Sequence, residues 1–333
     1  MIVTNAGGAA DRYAARVDAV LAQRTRLRGP QPPGDLFAGL PGDHPLIKAD
    51  PRRPLDPNLE IIASYIERED VIVDVGGGAG RISLPLALRC HEVVNVEPSA
   101  AMAAGFRANA AQAGITNSRV IAGDWLAIDP PVGTLALANH VAYLTRDIVP
   151  FIEKLERSGR RRILITVNSP PPPSWQRVLF ELVHGEEEVV VPGHAELVNV
   201  LWELDILPDI RVLPLPAASP LIPAPTREAA VAGAVTRFRG DQWSFWPLAS
   251  DLEQRLRSVL EDRFDELFAT GDDGFSPRWI TPGHGNPDYL ATKGGEASPM
   301  TAGVPGFRAR GLRPRPGITV RSRAFAPSVK RRC

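Results

Sequence analysis

The chain has 333 residues, of which 44% are hydrophobic and 23% are charged, and its 38 basic and 38 acidic side chains give a formal net charge of zero. This length and composition fit a globular protein of one large domain or two smaller ones with a full core. No apolar stretch approaches the ~18 residues of a membrane span, and no basic start followed by an apolar core indicates a secretory signal.

Cysteine and histidine usage predicts a reducing compartment and no metal site. The two cysteines, Cys90 and Cys333, cannot build a disulfide framework, and such frameworks are typical of oxidising compartments. The six histidines are scattered, and no Cys/His cluster has the spacing of zinc ligands. We therefore expect a cytoplasmic protein without a bound metal ion.

The N-terminal part is predicted to be a helical cap or lid rather than a separate domain. Residues 11–28 carry apolar side chains at helical spacing, and residues 30–42 are rich in proline and glycine. A second helix is predicted over residues 57–67, just before the first strand. We assign residues 1–56 to the cap and begin the main domain at residue 57.

The most informative segment is a buried strand followed by a glycine loop. The apolar run 71–75 predicts the strand, and Asp74-x-Gly76-x-Gly78-x-Gly80 follows before a helical pattern begins. Strand, glycine loop and helix together present backbone N–H groups to a nucleotide-like ligand. The dinucleotide spacing G-x-G-x-x-G fails, and Gly80 is not followed by the Lys-Ser/Thr of a phosphate-binding P-loop.

Further strands and helices alternate after this loop. Strands are predicted over 92–97, 119–124, 135–138 and 162–167, and helices over 99–113 and 147–157. Alternation of this kind predicts a doubly wound α/β sheet with helices on both faces. The second strand ends in Glu97, which lies 17 residues beyond Gly80, close to the ~20-residue offset of an acid that binds ribose hydroxyls.

On these motifs the chain resembles the class I S-adenosylmethionine-dependent methyltransferases. The resemblance implies a Rossmann-like, seven-stranded sheet and S-adenosylmethionine as cofactor. It implies that Asp74 lies near the methionine end of the cofactor, Glu97 at the ribose and Asp124 at the adenine amino group. Trp125 either packs on the adenine ring or belongs to the core. The predicted cofactor-binding residues are Asp74, Gly76, Gly77, Gly78, Gly80, Glu97, Pro98, Asp124, Trp125 and Asn139.

The fourth strand leads into the segment where the resemblance implies that the methyl acceptor approaches. Methyltransferases that act on base amino groups often carry Asn/Asp-Pro-Pro-Tyr/Phe here, whereas this chain has Asn139, His140 and Val141. The departure favours the small-molecule branch of the family. His140 is the candidate general base and Tyr143 a second catalytic candidate that would orient the acceptor. A structural role for His140 is slightly favoured, because transfer to nitrogen, sulfur or carbon needs no strong base.

The C-terminal half is predicted to complete the domain through residue 285. Residues 169–208 form a variable insertion on the substrate side, a sixth strand covers 209–214, and helices cover 226–238 and 248–268. Residues 275–281 are predicted to be the last, antiparallel strand. In the resembling family an N-terminal cap closes over the cofactor, where Arg52 or Arg53 could meet a substrate carboxylate, although surface roles are favoured for each.

Residues 286–333 are predicted to be a disordered basic tail. From residue 291 onward there are ten Lys and Arg and one acid, Glu296, so residues 291–333 carry +9 and residues 1–290, with 28 bases and 37 acids, carry −9. The tail has only two aromatic residues to stack on bases, which disfavours nucleic acid as a partner.

We therefore predict a methyltransferase that transfers a methyl group to a small organic acceptor. One alternative is an RNA or protein methyltransferase anchored by the basic tail. Another is a noncatalytic protein that binds S-adenosylmethionine. A small-molecule substrate and no membrane are the expected partners, and the acceptor atom and the oligomeric state stay open.

Overall fold

A computed structural model describes residues 7–29, 34–168, 177–214, 223–239, 250–279 and 288–294. All of these lie within one compact unit, Met1–Ser298. The predicted tail beyond residue 294 lies outside the described residues, as does the proline run after residue 168. No helix in the described ranges is long and apolar enough to cross a membrane.

Seven strands form the main sheet, in the order β3-β2-β1-β4-β5-β9-β6. Strands β1 to β5 run parallel, and β9 is antiparallel to both of its neighbours. The predicted seven-stranded, doubly wound α/β sheet is therefore confirmed. The strands of this sheet are β1 Val71–Val75, β2 Glu92–Glu97, β3 Ser118–Ala122, β4 Gly133–Asn139, β5 Gly159–Asn168, β6 Asp209–Val212 and β9 Asp288–Lys293.

The strand that closes the sheet is not the one that the sequence pattern indicated. Residues 275–281 were expected to be this strand, but β8 (Gly274–Pro277) pairs only with β7 (Phe268–Gly271), in a separate two-stranded sheet. The closing strand is β9, inside the region predicted to be tail. The boundary at residue 286 is therefore wrong for residues 288–293, and Lys293, counted with the tail, forms an ion pair with Glu156.

Ten helices are present in the described part of the chain, and most match their predicted positions within a few residues. The cap contributes α1 and a segment that leads to α2, which ends four residues earlier than predicted. The helices are α1 Ala9–Arg28, α2 Pro57–Ala63, α3 Ser83–Ala87, α4 Ala100–Gln112, α5 Ile148–Ser158, α6 Arg177–His184, α7 His194–Glu203, α8 Arg227–Arg239, α9 Ser250–Asp262 and α10 Phe264–Leu267.

The sheet has an apolar layer on each face because successive side chains of a strand point to opposite sides. In β1, Val73 and Val75 pack towards α1, α5 and α7, whereas Ile72 packs towards α2, α3 and α4. A third apolar cluster joins α6, α8, α9 and α10 to the β7–β8 sheet. These four helices and the β7–β8 sheet therefore share a core of their own, whereas α7 and β6 belong to the main sheet.

A buried ion pair ties β1 to β5 at the edge of the sheet where the parallel strands begin. The carboxylate of Asp70 is almost fully buried and accepts hydrogen bonds from Thr134 Oγ1 at 2.6 Å and from Glu67 N at 2.7 Å. It also forms an ion pair with Arg161, which meets Glu67 as well. Four donors therefore converge on this one carboxylate: Glu67 N, Thr134 Oγ1, and Nε and Nη2 of Arg161.

We expect Asp70→Ala to destabilise the fold strongly, because it leaves several buried donors without an acceptor. Removing one partner of a buried pair costs ~3–5 kcal/mol. The Arg161 side chain is 25% exposed, so we expect the low end, about 3 kcal/mol. Urea unfolding measures the change. Glu67→Ala is the matched control: its side chain is 64% exposed, and it should cost less than about 1 kcal/mol.

Candidate active site

The glycine loop after β1 has a backbone conformation that requires glycine at three positions. Gly76, Gly78 and Gly80 have φ values of 67°, 56° and 82°, in the left-handed region that L side chains rarely adopt. A Cβ at Gly76 would lie 2.6 Å from Cγ1 of Val141, whereas a Cβ at Gly78 would meet nothing within 4 Å. The loop therefore packs against the segment after β4 on one side and is open at Gly78.

Asn95, in the middle of β2, holds the loop in this conformation. Its fully buried side chain accepts a hydrogen bond from Gly77 N at 3.1 Å and donates one to the Gly78 carbonyl at 2.9 Å. Sequence analysis gave this residue no role. The available signal was a polar side chain inside an otherwise apolar buried strand, a position that requires hydrogen-bond partners.

Glu97 ends β2 beside the loop, as predicted. Its buried carboxylate accepts hydrogen bonds from Gly78 N at 2.9 Å and from Ser99 N at 2.8 Å. Burial raises the pKa of Glu97; the two N–H groups oppose this rise and the nearby charge of Asp35 adds to it. An ionised carboxylate accepts about four hydrogen bonds, so Glu97 can still bind a diol. The adjacent Pro98 is exposed.

Asp74 is a buried acid without a hydrogen-bond partner among the described residues. It lies in β1 two residues before Gly76, is 1% exposed, and neither of its carboxylate oxygens is bonded. Burial raises the pKa of Asp74 to about 7, with the nearby Ser83 hydroxyl opposing the rise and the charge of Glu97 adding to it. A Cβ at Gly77 would overlap Oδ2 of Asp74. The carboxylate therefore lies directly against the glycine loop.

We expect Asp74→Asn to stabilise the ligand-free protein more at pH 8 than at pH 5. The pKa of Asp74 rises from 3.8 in the unfolded chain to about 7 in the fold, so the folded state binds more protons between these values and its stability falls as the pH rises. About two units of this window lie between pH 5 and pH 8, so at ~1.4 kcal/mol per unit the gain over the parent grows by at most about 3 kcal/mol between the two measurements. Urea unfolding at both pH values is the measurement, with the exposed Asp129→Asn as a control that shows no such trend.

The cap contacts this site through a segment that we call the strap, residues 35–53. At the start of α4, Oδ2 of Asp35 accepts hydrogen bonds from Ala101 N at 3.0 Å and from Ser99 Oγ at 2.9 Å. Ser99 is also the N-cap of α4, and its hydroxyl accepts a hydrogen bond from Met102 N. Helix N-termini favour negative charge, so Asp35 is a second cap for α4, next to Glu97.

The strap continues along α4 to its other end. The carbonyl of Ile47 accepts a hydrogen bond from Asn109 at 2.7 Å, and Arg52 donates two to the carbonyl of Ala113 at 3.1 and 2.8 Å. Arg53 donates to the carbonyl of Arg81 at 2.8 Å. Both arginines thus bind backbone carbonyls that fasten the strap, which agrees with the structural role that the sequence favoured over contact with a substrate carboxylate.

Asp124 and Trp125 follow β3 and have different surroundings. Asp124 is exposed, and its Oδ1 accepts a hydrogen bond from Leu126 N at 2.7 Å. The indole of Trp125 is 6% exposed, donates to the Phe151 carbonyl at 3.4 Å and packs edge-on against that ring. Trp125 is therefore buried against α5, and its packing on an adenine ring stays a prediction.

Lys154 of α5 holds the segment after Asp124 in place. Its buried ammonium donates to the carbonyls of Trp125 at 2.6 Å and of Leu126 at 3.1 Å, and also to that of Ile128. An ammonium group has three donors, so one lysine satisfies three carbonyls of a single loop. A lysine on the buried face of an amphipathic helix was the only sequence signal for this arrangement.

His140 follows β4 in a strained backbone conformation. Its φ is 58°, a left-handed value that is uncommon outside glycine and that often marks functional sites. Its backbone N donates to the Thr166 carbonyl at 3.0 Å, and its Nδ1 lies 2.8 Å from the Tyr143 hydroxyl. Hydrogen bonds thus hold both the backbone and the half-buried ring of His140. The neighbouring Asn139 accepts a hydrogen bond from Thr166 Oγ1 at 2.6 Å.

Tyr143 is 2% exposed, so its hydroxyl faces the protein interior rather than an open edge. Besides His140, it meets the last residue of β5: it donates to Asn168 Oδ1 at 2.9 Å and accepts from Asn168 N at 2.7 Å. Tyr143 thus links the His140 ring to β5, and its expected role in orienting the acceptor stays a prediction. Asn168 is a second residue to which sequence analysis gave no role.

Residues 72–159 match the family model described as "Methyltransferase domain". The match includes the glycine loop, β2, β3 and β4, about a quarter of the chain, and the mostly parallel seven-stranded sheet agrees with the Rossmann-like methyltransferase fold that the resemblance implied. No curated protein matches the chain.

Several solved structures are similar to the chain. The YcgJ protein of Bacillus subtilis is 14% identical, with 71% of this chain and 96% of that chain covered and a TM-score of 0.43. Magnesium protoporphyrin IX methyltransferase of Synechocystis PCC 6803 is 14% identical, with 47% and 75% covered and a TM-score of 0.39. Geranyl diphosphate C-methyltransferase of Streptomyces coelicolor A3(2) is 15% identical, with 70% and 76% covered and a TM-score of 0.38.

Proposed function

We propose that this protein binds S-adenosylmethionine over the glycine loop and transfers its methyl group to a small organic acceptor in the cytoplasm. The observation that carries the proposal is the unpartnered, buried carboxylate of Asp74 against a loop that is open at Gly78. A buried acid of this kind is stabilised by a ligand that brings positive charge or N–H donors. No group of side chains among the described residues has the composition of a metal site.

The residues around the loop fit the three chemical parts of this cofactor. Asp74 suits the ammonium and sulfonium charges of the methionine end. Glu97 has lone pairs left for a vicinal diol, with Pro98 beside it. Asp124, exposed at the end of β3, suits the adenine amino group, and Asn139 lies at the end of β4, on the same edge of the sheet. These assignments combine the family resemblance with the burial and hydrogen bonding described above.

The chain's own contribution to catalysis is alignment and proton removal. When bound, S-adenosylmethionine supplies an activated methyl group on a sulfonium sulfur. Holding the acceptor in line with that group can contribute ~7–11 kcal/mol. His140, next to Val141 at the glycine loop, is the residue that we assign to take a proton from the acceptor. Tyr143 holds the His140 ring in place.

Calorimetry with S-adenosylmethionine and with S-adenosylhomocysteine tests the cofactor. We expect micromolar binding, about −8 kcal/mol. A methyl-label assay on a metabolite extract, with mass-spectrometric identification of the product, then tests transfer and identifies the acceptor. Absence of heat with both ligands, together with binding of a nicotinamide dinucleotide, would refute the proposal. Cofactor binding without any labelled product would favour a noncatalytic protein.

We expect Glu97→Ala to weaken cofactor binding by about 2–3 kcal/mol, since hydrogen bonds to a charged group are worth ~1.5–3 kcal/mol. The loss includes the support that Glu97 gives to Gly78 N. Calorimetry measures the effect. Glu92→Ala is the matched control, because Glu92 starts the same strand at the opposite edge of the sheet and forms only a surface ion pair with Arg119. Equal affinity in both variants would contradict the ribose assignment.

The basic tail supports a second candidate, an RNA or protein methyltransferase that the tail anchors. Deleting residues 299–333, which lie beyond β9, removes the arginine-rich part and spares the sheet. This candidate requires RNA or protein affinity with a steep salt dependence, lost on deletion. Unchanged activity of the deletion variant on a small acceptor would favour the first proposal.

A further inference from the structure

We propose that β6 is the contact between two copies of this chain, which pair antiparallel about a two-fold axis beside Ile210. In the described part of the chain, β6 (Asp209–Val212) lies at one edge of the main sheet and pairs only with β9. All four of its residues are exposed. The outer side of an edge strand carries backbone N–H and C=O groups that a second strand can bind. This inference does not depend on the proposed function.

Apolar side chains are exposed on one face of this edge. Ile210 and Val212 lie opposite Ala291 and Tyr289 of β9, which pack in the layer of α1, α5 and α7. A concentration of exposed apolar side chains is typical of a surface that binds another protein. Of the eight large apolar side chains that are exposed among the described residues, four lie in this short part of the chain: Trp202, Leu207, Ile210 and Val212.

The charges of β6 fit a second copy of the same strand. A two-fold axis perpendicular to the sheet pairs residues whose side chains share a face, so the pairing can be centred on either middle residue, Ile210 or Arg211. Centred on Arg211, it would place two guanidinium groups opposite each other. Centred on Ile210, it places Asp209 of each copy opposite the partner's Arg211. Cross-strand pairs of opposite charge stabilise a sheet and pairs of like charge destabilise it, so the charges select the register centred on Ile210.

Both charged side chains are available for this pairing. In the described ranges, neither Asp209 nor Arg211 forms an ion pair, and the guanidinium of Arg211 lies 5.6 Å from the centroid of the Tyr65 ring. The strand at the opposite edge, β3, differs in this respect. Its one charged residue, Arg119, forms an ion pair with Glu92 of β2. Edge strands often carry charges that repel a second strand, whereas the charges of β6 are complementary to themselves.

Sedimentation velocity of the full chain at several concentrations tests the dimer. We expect twice the mass of one chain at the higher concentrations. Asp209→Arg should raise the Kd of the dimer about 10-fold or more, because two attractive cross-strand pairs become repulsive. Arg119→Ala, on the opposite edge strand, is the control and should dimerise as the parent does. A parent that stays monomeric at every concentration would overturn the proposal, as would an Asp209→Arg variant that dimerises as tightly as the parent.

Mixing two charge variants tests the register. Asp209→Arg has arginine at both charged positions and Arg211→Asp has aspartate at both, so each variant alone should dimerise weakly. In the mixture every arginine faces an aspartate of the other variant, and we expect mixed dimers with a Kd close to that of the parent. Native mass spectrometry distinguishes the mixed dimer from the two homodimers, and circular dichroism confirms that each variant is folded. Mixed dimers no tighter than the homodimers would rule out the pairing of Asp209 with Arg211.

Discussion

Replacing His140 with asparagine is expected to lower the rate of methyl transfer by ~10²–10⁴-fold, the contribution of a general base, and to leave cofactor affinity nearly unchanged. Asparagine is the sharpest substitution because it tolerates the left-handed φ of 58° at this position. Its side-chain amide can donate or accept and so can keep a hydrogen bond with the Tyr143 hydroxyl, so that the variant lacks chiefly the imidazole base. Single-turnover kinetics and calorimetry measure the two quantities.

His91→Asn is the control for this experiment. His91 is exposed and precedes β2, at the edge of the sheet opposite the glycine loop, so its replacement should leave the rate unchanged. A purely structural role for His140 would give a different result in the His140→Asn variant. In that case cofactor affinity and thermal stability fall together in the His140 variant, and turnover per bound cofactor stays near that of the parent.

Replacing Gly77 with alanine is expected to weaken cofactor binding at least about 100-fold, or ~2.7 kcal/mol. The new Cβ would overlap the carboxylate of Asp74 and lie 2.8 Å from Oδ1 of Asn95. Either the loop must rise or these two side chains must turn, and both changes disturb the surface on which the cofactor would lie. Calorimetry with S-adenosylhomocysteine measures the loss.

Gly233→Ala is a matched control for this substitution. Gly233 lies within α8, and a Cβ there would meet nothing within 4 Å. Alanine is the better helix former, so the control should bind cofactor normally and gain about 0.5–1 kcal/mol of stability. If Gly77→Ala binds as tightly as the control, the proposed position of the cofactor over the loop is wrong.

The parts of the fold that the sequence predicted well are those specified by local patterns. The bounds of β1 and β2, the N-cap at Ser99 and the left-handed turns at Gly76, Gly78 and Gly80 all follow from short-range signals. The family resemblance added the number of strands. Residues close together in the chain were sufficient for each of these predictions.

The parts that failed depend on partners far away in the chain. Residues 275–277 and 288–293 both form strands, and only the pairing with β5 and β6 decides which of them closes the sheet. The edge contact of Trp125 with Phe151 is likewise made between separate segments. Asn95 and Asn168 act through hydrogen bonds to other segments, which no spacing rule reveals.

The strap also constrains the order in which this protein can assemble. Its contacts with α4 join residues 61 to 66 positions apart, so closing them costs more chain entropy than closing the contacts within one strand–helix unit. Contacts of long sequence separation form late in folding, and a segment held mainly by surface hydrogen bonds opens before the core does. Release of the strap would free Ser99 Oγ and Ala101 N from Asp35 at the start of α4. Hydrogen exchange at the amide of Ala101, which Asp35 protects, should therefore be faster than exchange in β1 and should slow when cofactor is bound.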